Sequence, residues 1–148
     1  MEWLKAFRGH VVGLDTAPLI YFIEENPAYM PLVRPFFEAA DRGEFQIVTS
    51  DLTEVLVHPL LRGDPRLADQ YRHILLCARQ VTTVAVSEEI AEKAAELRGQ
   101  HGLRTPDALQ LATAIRSGAG SFLTNDTRLP SFSKPQIILL DQLKATTP

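Results

Sequence analysis

The sequence predicts an α/β fold in which a five-stranded parallel sheet lies between helices. Short, β-branched apolar segments alternate along the chain with longer segments whose apolar residues recur at helical spacing. The short segments are apolar at nearly every position, which is typical of strands buried on both faces of a parallel sheet. With 148 residues, 45% hydrophobic and 22% charged, the chain can bury the core of one such domain.

Five segments are expected to form the strands of this sheet. The first, HVVGL, ends directly before Asp15, and the fourth, SFLT, ends shortly before Asp126. The five strands are predicted at 10–14, 45–50, 81–86, 121–124 and 136–140.

The intervening segments carry the start and stop signals of helices. Asp64 is expected to cap a helix that has Pro65 at its first position, and Ser87 is expected to cap the next one. Pro59 is expected to interrupt the helix that follows the second strand. Five helices are predicted at 16–25, 31–43, 51–57, 64–80 and 88–100.

A further helix begins in the stretch LRTPDALQLATAI, residues 103–115, and is expected to stop at Gly118. Thr105 is expected to cap it, and Pro106 suits the first helical position. Asp107 lies in the first turn, where an acid complements the helix dipole. On these local grounds alone, Asp107 is explained by structure and needs no role in a site.

The chain shows no internal repeat, low-complexity segment or long linker, so we predict one domain over 1–148, with a core at about 11–140. Residues 1–10 are an extension, whose Trp3, Leu4 and Phe7 are expected to pack on the domain, with packing on a partner as the alternative. The opening has no signal-peptide core and no segment reaches membrane-spanning length, so a cytoplasmic protein without membrane contact is expected. Cys77, the single cysteine, excludes a disulfide framework and is expected to be buried.

Acidic residues follow the strands at the edge where α/β sheets bind ligands. Asp15 follows the first strand, Glu54 lies in the helix after the second, and Asp126 follows the fourth. In the common doubly wound order the first and fourth strands are neighbours, which would place Asp15 beside Asp126. Asp107 can join them only if the preceding helix returns the chain to the same edge.

A cluster of carboxylates can bind a divalent metal ion, although each acid also has a purely structural explanation. Like charges repel unless a cation neutralises them, and Mg²⁺ and Mn²⁺ prefer carboxylate oxygen and water. Asp15 and Asp126 are also typical cap and turn residues, and Asp51 competes with Glu54 for the same role. The net charge of -3 excludes a protein that binds polyanions by bulk charge.

The segments around the acids resemble the PIN-domain ribonucleases, and among them the VapC-type toxins of prokaryotic toxin–antitoxin pairs. The resemblance covers about residues 11–140. It is carried by LDTAPLIYFIE around Asp15, SDLTEVL around Glu54, GLRTPDALQLATA around Asp107 and LTNDTRL around Asp126. Ala17 departs from the pattern, since the family often has a small polar residue there.

The resemblance implies a PIN-like fold and Mg²⁺- or Mn²⁺-dependent cleavage of RNA phosphodiesters. It implies a small antitoxin that covers the site, and self-association as a homodimer. Thr16 and Thr124 match polar positions that support the family's site. The residues to which it assigns the metal and the catalysis are Asp15, Glu54, Asp107 and Asp126.

A basic rim for RNA phosphates is a separate expectation from the residues themselves. Arg98, His101, Arg104 and Arg128 are its candidates, with ordinary solvated charges as the alternative reading of each.

Other functions remain open beside the toxin. A receiver-like Mg²⁺-binding signalling domain would use Lys134 but leaves Asp107 without a role. A dehalogenase-type phosphatase would need an acid where Ala17 stands. A PIN-fold nuclease that processes RNA outside a toxin–antitoxin pair, or a relative that only binds, would share the same motifs.

Overall fold

The computed structural model describes residues 1–50 and 53–146, without the side chains of residues 53 and 54. Its five strands are β1 (Val11–Leu14), β2 (Gln46–Ser50), β3 (Val81–Val84), β4 (Ser121–Thr124) and β5 (Gln136–Leu139). Eight helices lie in the described part of the chain: α1 (Glu2–Lys5), α2 (Thr16–Ile23), α3 (Met30–Asp41), α4 (Thr53–Leu61), α5 (Pro65–Cys77), α6 (Glu88–His101), α7 (Thr105–Arg116) and α8 (Leu140–Thr146).

The sheet is parallel throughout and has the order β3-β2-β1-β4-β5. The chain moves outward in one direction from β1 to β3 and in the other from β4 to β5. The strand order therefore reverses between β1 and β4, where Leu14 is paired with Leu123. This confirms the predicted α/β fold and the predicted neighbourhood of the first and fourth strands.

Side chains alternate between the two faces of the sheet and bury it on both sides. On one face Leu14 and Leu123 pack with residues of α2 and α3, among them Leu19 and Phe36. On the other face Phe122 packs with buried residues of α6 and α7. This two-sided burial is the physical reason why the strands are apolar at nearly every position.

The first ten residues are part of this core. Leu4 and Phe7 are buried, and the ring of Trp3 makes an edge contact with Phe7 and stacks on Phe36. The prediction that this extension packs on the domain is confirmed.

Helix signals in the sequence were accurate for some ends and wrong for others. Asp64 and Ser87 cap their helices by accepting hydrogen bonds from backbone nitrogens three residues later. Thr105 is not a cap: α7 begins at that residue, after Arg104, whose side chain makes no capping hydrogen bond. Pro59 lies inside α4, which continues to Leu61, so the predicted interruption is wrong.

The expectation that Cys77 is buried is also wrong, because the residue is exposed at the end of α5. Helical periodicity turns Ala68, Tyr71 and Leu75 toward the core, and the two following positions, including Leu76, then point to solvent. Apolar composition alone suggested burial, but the phase of the helix decides it.

Gly13 allows α7 to approach β1 closely. A Cβ atom at Gly13 would lie 2.5 Å from Cβ of Ala114 in α7 and 2.7 Å from Cδ2 of Phe122 in β4. No real side chain tolerates such distances, so only glycine lets the helix that carries Asp107 pack directly on the central strand. None of the helices in the described part of the chain is both long and apolar enough to cross a membrane.

Candidate active site

A pocket of about 420 Å³ lies at the carboxyl ends of β1 and β4, where the strand order reverses. Three of the four acids predicted from sequence line it: Asp15, Asp107 and Asp126. A larger groove of about 1010 Å³ between α2, α3 and α5 contains none of these three. The smaller pocket is therefore the candidate site.

Asp15 is fixed by both strands at the bottom of this pocket. Its backbone nitrogen donates to the carbonyl of Leu123, and its carboxylate accepts from the backbone nitrogen of Thr16 at 2.8 Å. The residue thus ends β1 and caps α2. Burial raises the pKa of the Asp15 carboxyl, and the nearby charges of Asp107 and Asp126 raise it further, against the lowering effect of its hydrogen bonds.

Thr124 connects Asp15 with Asp126. Its hydroxyl donates to Oδ2 of Asp15 at 2.6 Å and accepts from the backbone nitrogen of Asp126 at 3.0 Å. The Thr124 side chain is fully buried. Because the hydroxyl bonds both to a carboxylate and to the loop that carries the next acid, it links the position of one to that of the other.

Two arginines neutralise the outer carboxylates of the pocket. Arg128 binds both oxygens of Asp126, with Nε 2.9 Å from Oδ1 and Nη2 2.9 Å from Oδ2. The same Nη2 lies 3.7 Å from Oδ2 of Asp107, to which Arg104 donates at 3.0 Å. The hydrogen bond from Arg128 lowers the pKa of Asp126.

Gln110 is a site residue that sequence reasoning missed. Its buried side-chain oxygen accepts from the Thr49 hydroxyl at 3.1 Å and from the Ser50 backbone nitrogen at 3.0 Å, and its nitrogen donates to the Thr16 hydroxyl at 3.4 Å. It therefore ties the end of β2 to the start of α2 beneath the pocket. The signal was present, since a polar residue three positions after Asp107 shares its helix face.

Asn125, between two predicted site residues, was also missed. Its amide nitrogen donates to the Tyr29 hydroxyl at 3.0 Å, and its oxygen accepts from the backbone nitrogen of Asp141 at 3.1 Å. The Tyr29 hydroxyl in turn donates to the Asp141 carboxylate at 2.9 Å. The loop before Asp126 is therefore held by α8 and by the loop before α3. No signal within the motif LTNDTRL indicates these distant partners.

The remaining predicted residues stand differently relative to the pocket. Thr16, Arg104 and Arg128 line it, whereas Arg98 does not and donates instead to the carbonyl of Leu103. Glu54 belongs to the first turn of α4, but its side chain lies outside the described part of the structure, and so does its rival Asp51.

The chemistry of the pocket fits a hard divalent cation. Among its described lining residues none is Cys or His, and the side chains offer carboxylate, hydroxyl and amide oxygens. Within residues 1–50 and 53–146, no three acidic, His or Cys side chains already form a set that could hold a metal ion. Asp107 and Asp126 instead form ion pairs with Arg104 and Arg128. A cation bound by these carboxylates would compete with the two arginine side chains.

The fold and the pocket define an α/β protein with an acidic site at the switch point of its parallel sheet. The chain belongs to the PIN domain family, whose sequence pattern matches residues 12–135. PIN domains are generally nucleases, which supports a hydrolase. Comparison with curated protein sequences finds no match.

Solved structures show the same fold. One is a toxin–antitoxin complex from Klebsiella pneumoniae, with a TM-score of 0.61 and 22% identity over 88% of this chain and 97% of that one. Another is VapBC2 from Rickettsia felis bound to a DNA fragment from their promoter, with a TM-score of 0.61 and 21% identity over 78% of this chain and 88% of that one.

Proposed function

We propose that this protein is a metal-dependent endoribonuclease that cleaves RNA phosphodiester bonds. The observation that carries the proposal is the meeting of Asp15, Asp107 and Asp126 around one pocket, although more than 90 residues separate the first from the second. Carboxylates that repel one another are brought together at a cost, and a divalent cation removes that cost. Membership of the PIN domain family supports the same activity.

Asp15, Asp107 and Asp126, together with Glu54, would hold Mg²⁺ or Mn²⁺. When bound, the ion supplies a water of lowered pKa and a positive charge for the phosphate oxygens. Thr124 and Thr16 hold the Asp15 carboxylate in place through the hydroxyl and the backbone nitrogen, respectively. Arg104 and Arg128, both more than 60% exposed, stand beside the pocket where the RNA backbone would approach.

The toxin role and the partners are part of the proposal. The similarity in fold to proteins from toxin–antitoxin complexes supports a small antitoxin that covers the site, and a cytoplasmic place of action on RNA. The homodimer is proposed from the resemblance to the VapC-type toxins; exposed apolar side chains on α4 and α5, such as Leu61 at 83% and Leu76 at 63%, are available to an interface.

The deciding experiment is an RNA cleavage assay with the purified protein in Mg²⁺ or Mn²⁺, in EDTA, and with Asp107→Asn. Cleavage is expected to need the metal and to fall by about a hundredfold or more in the variant, because the substitution keeps the shape and removes a ligand charge. Asp69→Asn is the matched control, since Asp69 is an exposed acid on α5 whose charge pairs with its own helix neighbour Arg72. Cleavage that survives both EDTA and Asp107→Asn contradicts the mechanism.

The biological role has a separate test. Expression of the wild-type chain is expected to arrest growth, and a small DNA-binding protein encoded directly upstream is expected to relieve the arrest. Active RNA cleavage without growth arrest and without such a partner would indicate an RNA-processing nuclease instead.

A further inference from the structure

Arg128 occupies the place that a cation would take between two of the acids. Its guanidinium spans both oxygens of Asp126 and reaches Oδ2 of Asp107 through Nη2, at 3.7 Å. The two carboxylates are only 15% and 17% exposed, whereas the Arg128 side chain is 63% exposed. The acids are thus held by the fold, and the arginine lies over them from the solvent side.

We infer that Arg128 is an internal counter-ion that a divalent metal ion must replace. This inference rests on the proposed metal site and adds a regulatory step to it. The guanidinium is hydrogen-bonded to both oxygens of Asp126 and lies 3.7 Å from Oδ2 of Asp107, and a metal ion held by these two carboxylates would compete with it for them. Because the guanidinium and the metal ion compete for these carboxylates, Arg128 lowers the apparent affinity of the site for the metal.

The geometry allows the guanidinium to leave without unfolding the loop. The backbone nitrogen of Arg128 donates to Oδ1 of Asp126 at 2.9 Å, and the backbone nitrogen of Asp126 donates to Thr124. Both bonds are independent of the Arg128 side chain, so the turn persists when that side chain swings outward. Replacement of the guanidinium by a metal ion therefore breaks the ion pairs of Arg128 with Asp107 and Asp126 and leaves the backbone of the loop in place.

Arg104 is not an equivalent counter-ion. Its ion pair is with Asp107, which it reaches within the same turn of α7 at 3.0 Å and 3.5 Å, and it acts on Asp126 only through its charge at longer range. Arg104 does not bridge two acids, so its removal would take one ion-pair partner from Asp107 and would not affect the ion pairs of Arg128 with Asp107 and Asp126. The bridging position is particular to Arg128 among the described residues that line the pocket.

The test is Mn²⁺ binding by isothermal titration calorimetry, at low ionic strength, for the wild type, Arg128→Ala, Arg128→Lys and Arg104→Ala. Arg128→Ala is expected to bind Mn²⁺ about three- to tenfold more tightly, the range that a bidentate, largely exposed ion pair can contribute. Arg104→Ala should gain less. Arg116→Ala is the control, since this exposed arginine lies at the other end of α7 and should leave the affinity unchanged.

Arg128→Lys separates direct exchange from the general field of a positive charge. Lysine keeps the charge but cannot bind two oxygens as a fork, so direct exchange predicts an affinity between those of the wild type and Arg128→Ala. A lysine variant that binds Mn²⁺ like the wild type, beside a tighter alanine variant, would show a field effect only and overturn the inference.

Urea unfolding gives an independent readout. In EDTA, Arg128→Ala is expected to be less stable than the wild type because the acids lose their counter-ion, and saturating Mn²⁺ should close that gap. Absence of Mn²⁺ binding in both the wild type and Arg128→Ala would refute the proposed metal site itself. A wild type that binds Mn²⁺ while Arg128→Ala binds it no more tightly would refute the counter-ion alone.

Discussion

The Thr124 hydroxyl lies 2.6 Å from Oδ2 of Asp15 and donates a hydrogen bond to it, although the two residues are 109 positions apart in the chain. The Thr124 hydroxyl oxygen also accepts a hydrogen bond from the backbone nitrogen of Asp126. A buried hydroxyl in β4 therefore orients a carboxylate at the end of β1, across the point where the strand order reverses.

Thr124→Val is expected to lower Mn²⁺-dependent RNA cleavage by about ten- to a hundredfold, the usual cost of removing a hydrogen bond that orients a metal ligand. Valine keeps the shape of threonine but leaves Asp15 without this donor and the Asp126 nitrogen without its acceptor. Thr124→Ser keeps the hydroxyl and is expected to retain most activity. Equal cleavage by folded valine and serine variants would show that the hydroxyl has no such role.

Gln110→Leu is expected to reduce the free energy of unfolding by about 1–3 kcal/mol, because it leaves the buried Ser50 nitrogen without its side-chain acceptor, whereas the Thr49 hydroxyl keeps the Leu14 carbonyl. Urea denaturation of the metal-free protein measures the loss. Gln100→Leu makes the same chemical change at an exposed position of α6 and should be nearly neutral. Similar losses in both variants would argue against the bridging role of Gln110.

Gly13→Ala is expected to cost about 1–3 kcal/mol of stability, because the new Cβ would overlap Ala114 and Phe122 and push α7 away from β1. The displacement of α7 would also move Asp107 and weaken Mn²⁺ binding. Gly99→Ala, in α6 with nothing within 4 Å of its added Cβ, should instead be neutral or stabilising by about 0.5–1 kcal/mol. Thermal unfolding in EDTA compares the two, and a stable Gly13→Ala would contradict the packing argument.

Glu44→Gln is expected to destabilise the protein at neutral pH but not in acid. Hydrogen bonds from Arg42 and Arg8 lower the pKa of Glu44, so the folded state favours the ionised carboxylate. The resulting stability is present above the ordinary pKa of a glutamate and is lost as the pH falls through the lowered pKa of the folded state. Urea midpoints at about pH 7 and about pH 3 measure this difference. If the wild type and Glu44→Gln differ in urea midpoint by the same amount at both pH values, the charge of Glu44 is not the cause of the difference.

Local sequence rules predicted much of the fold because they depend on neighbours along the chain. The caps at Asp64 and Ser87 follow from residues three positions apart, and the strands follow from continuous apolar runs. The same rules were wrong where a longer context decides. Cys77 belongs to an apolar run but is exposed to solvent. The helix α4 continues past Pro59, and its Val55 is fully buried in the core.

The sequence by itself determined the fold class, the order of strands and helices, and the presence of acids after the first and fourth strands. Local sequence rules did not place Asp107 in the pocket, although the family resemblance implied it; the tertiary structure brings it there by packing α7 on β1 over Gly13. It alone placed Gln110 beneath Thr16 and Arg128 across Asp107 and Asp126. Periodicity and capping report only on one element at a time, whereas these contacts join side chains of different elements in one small volume.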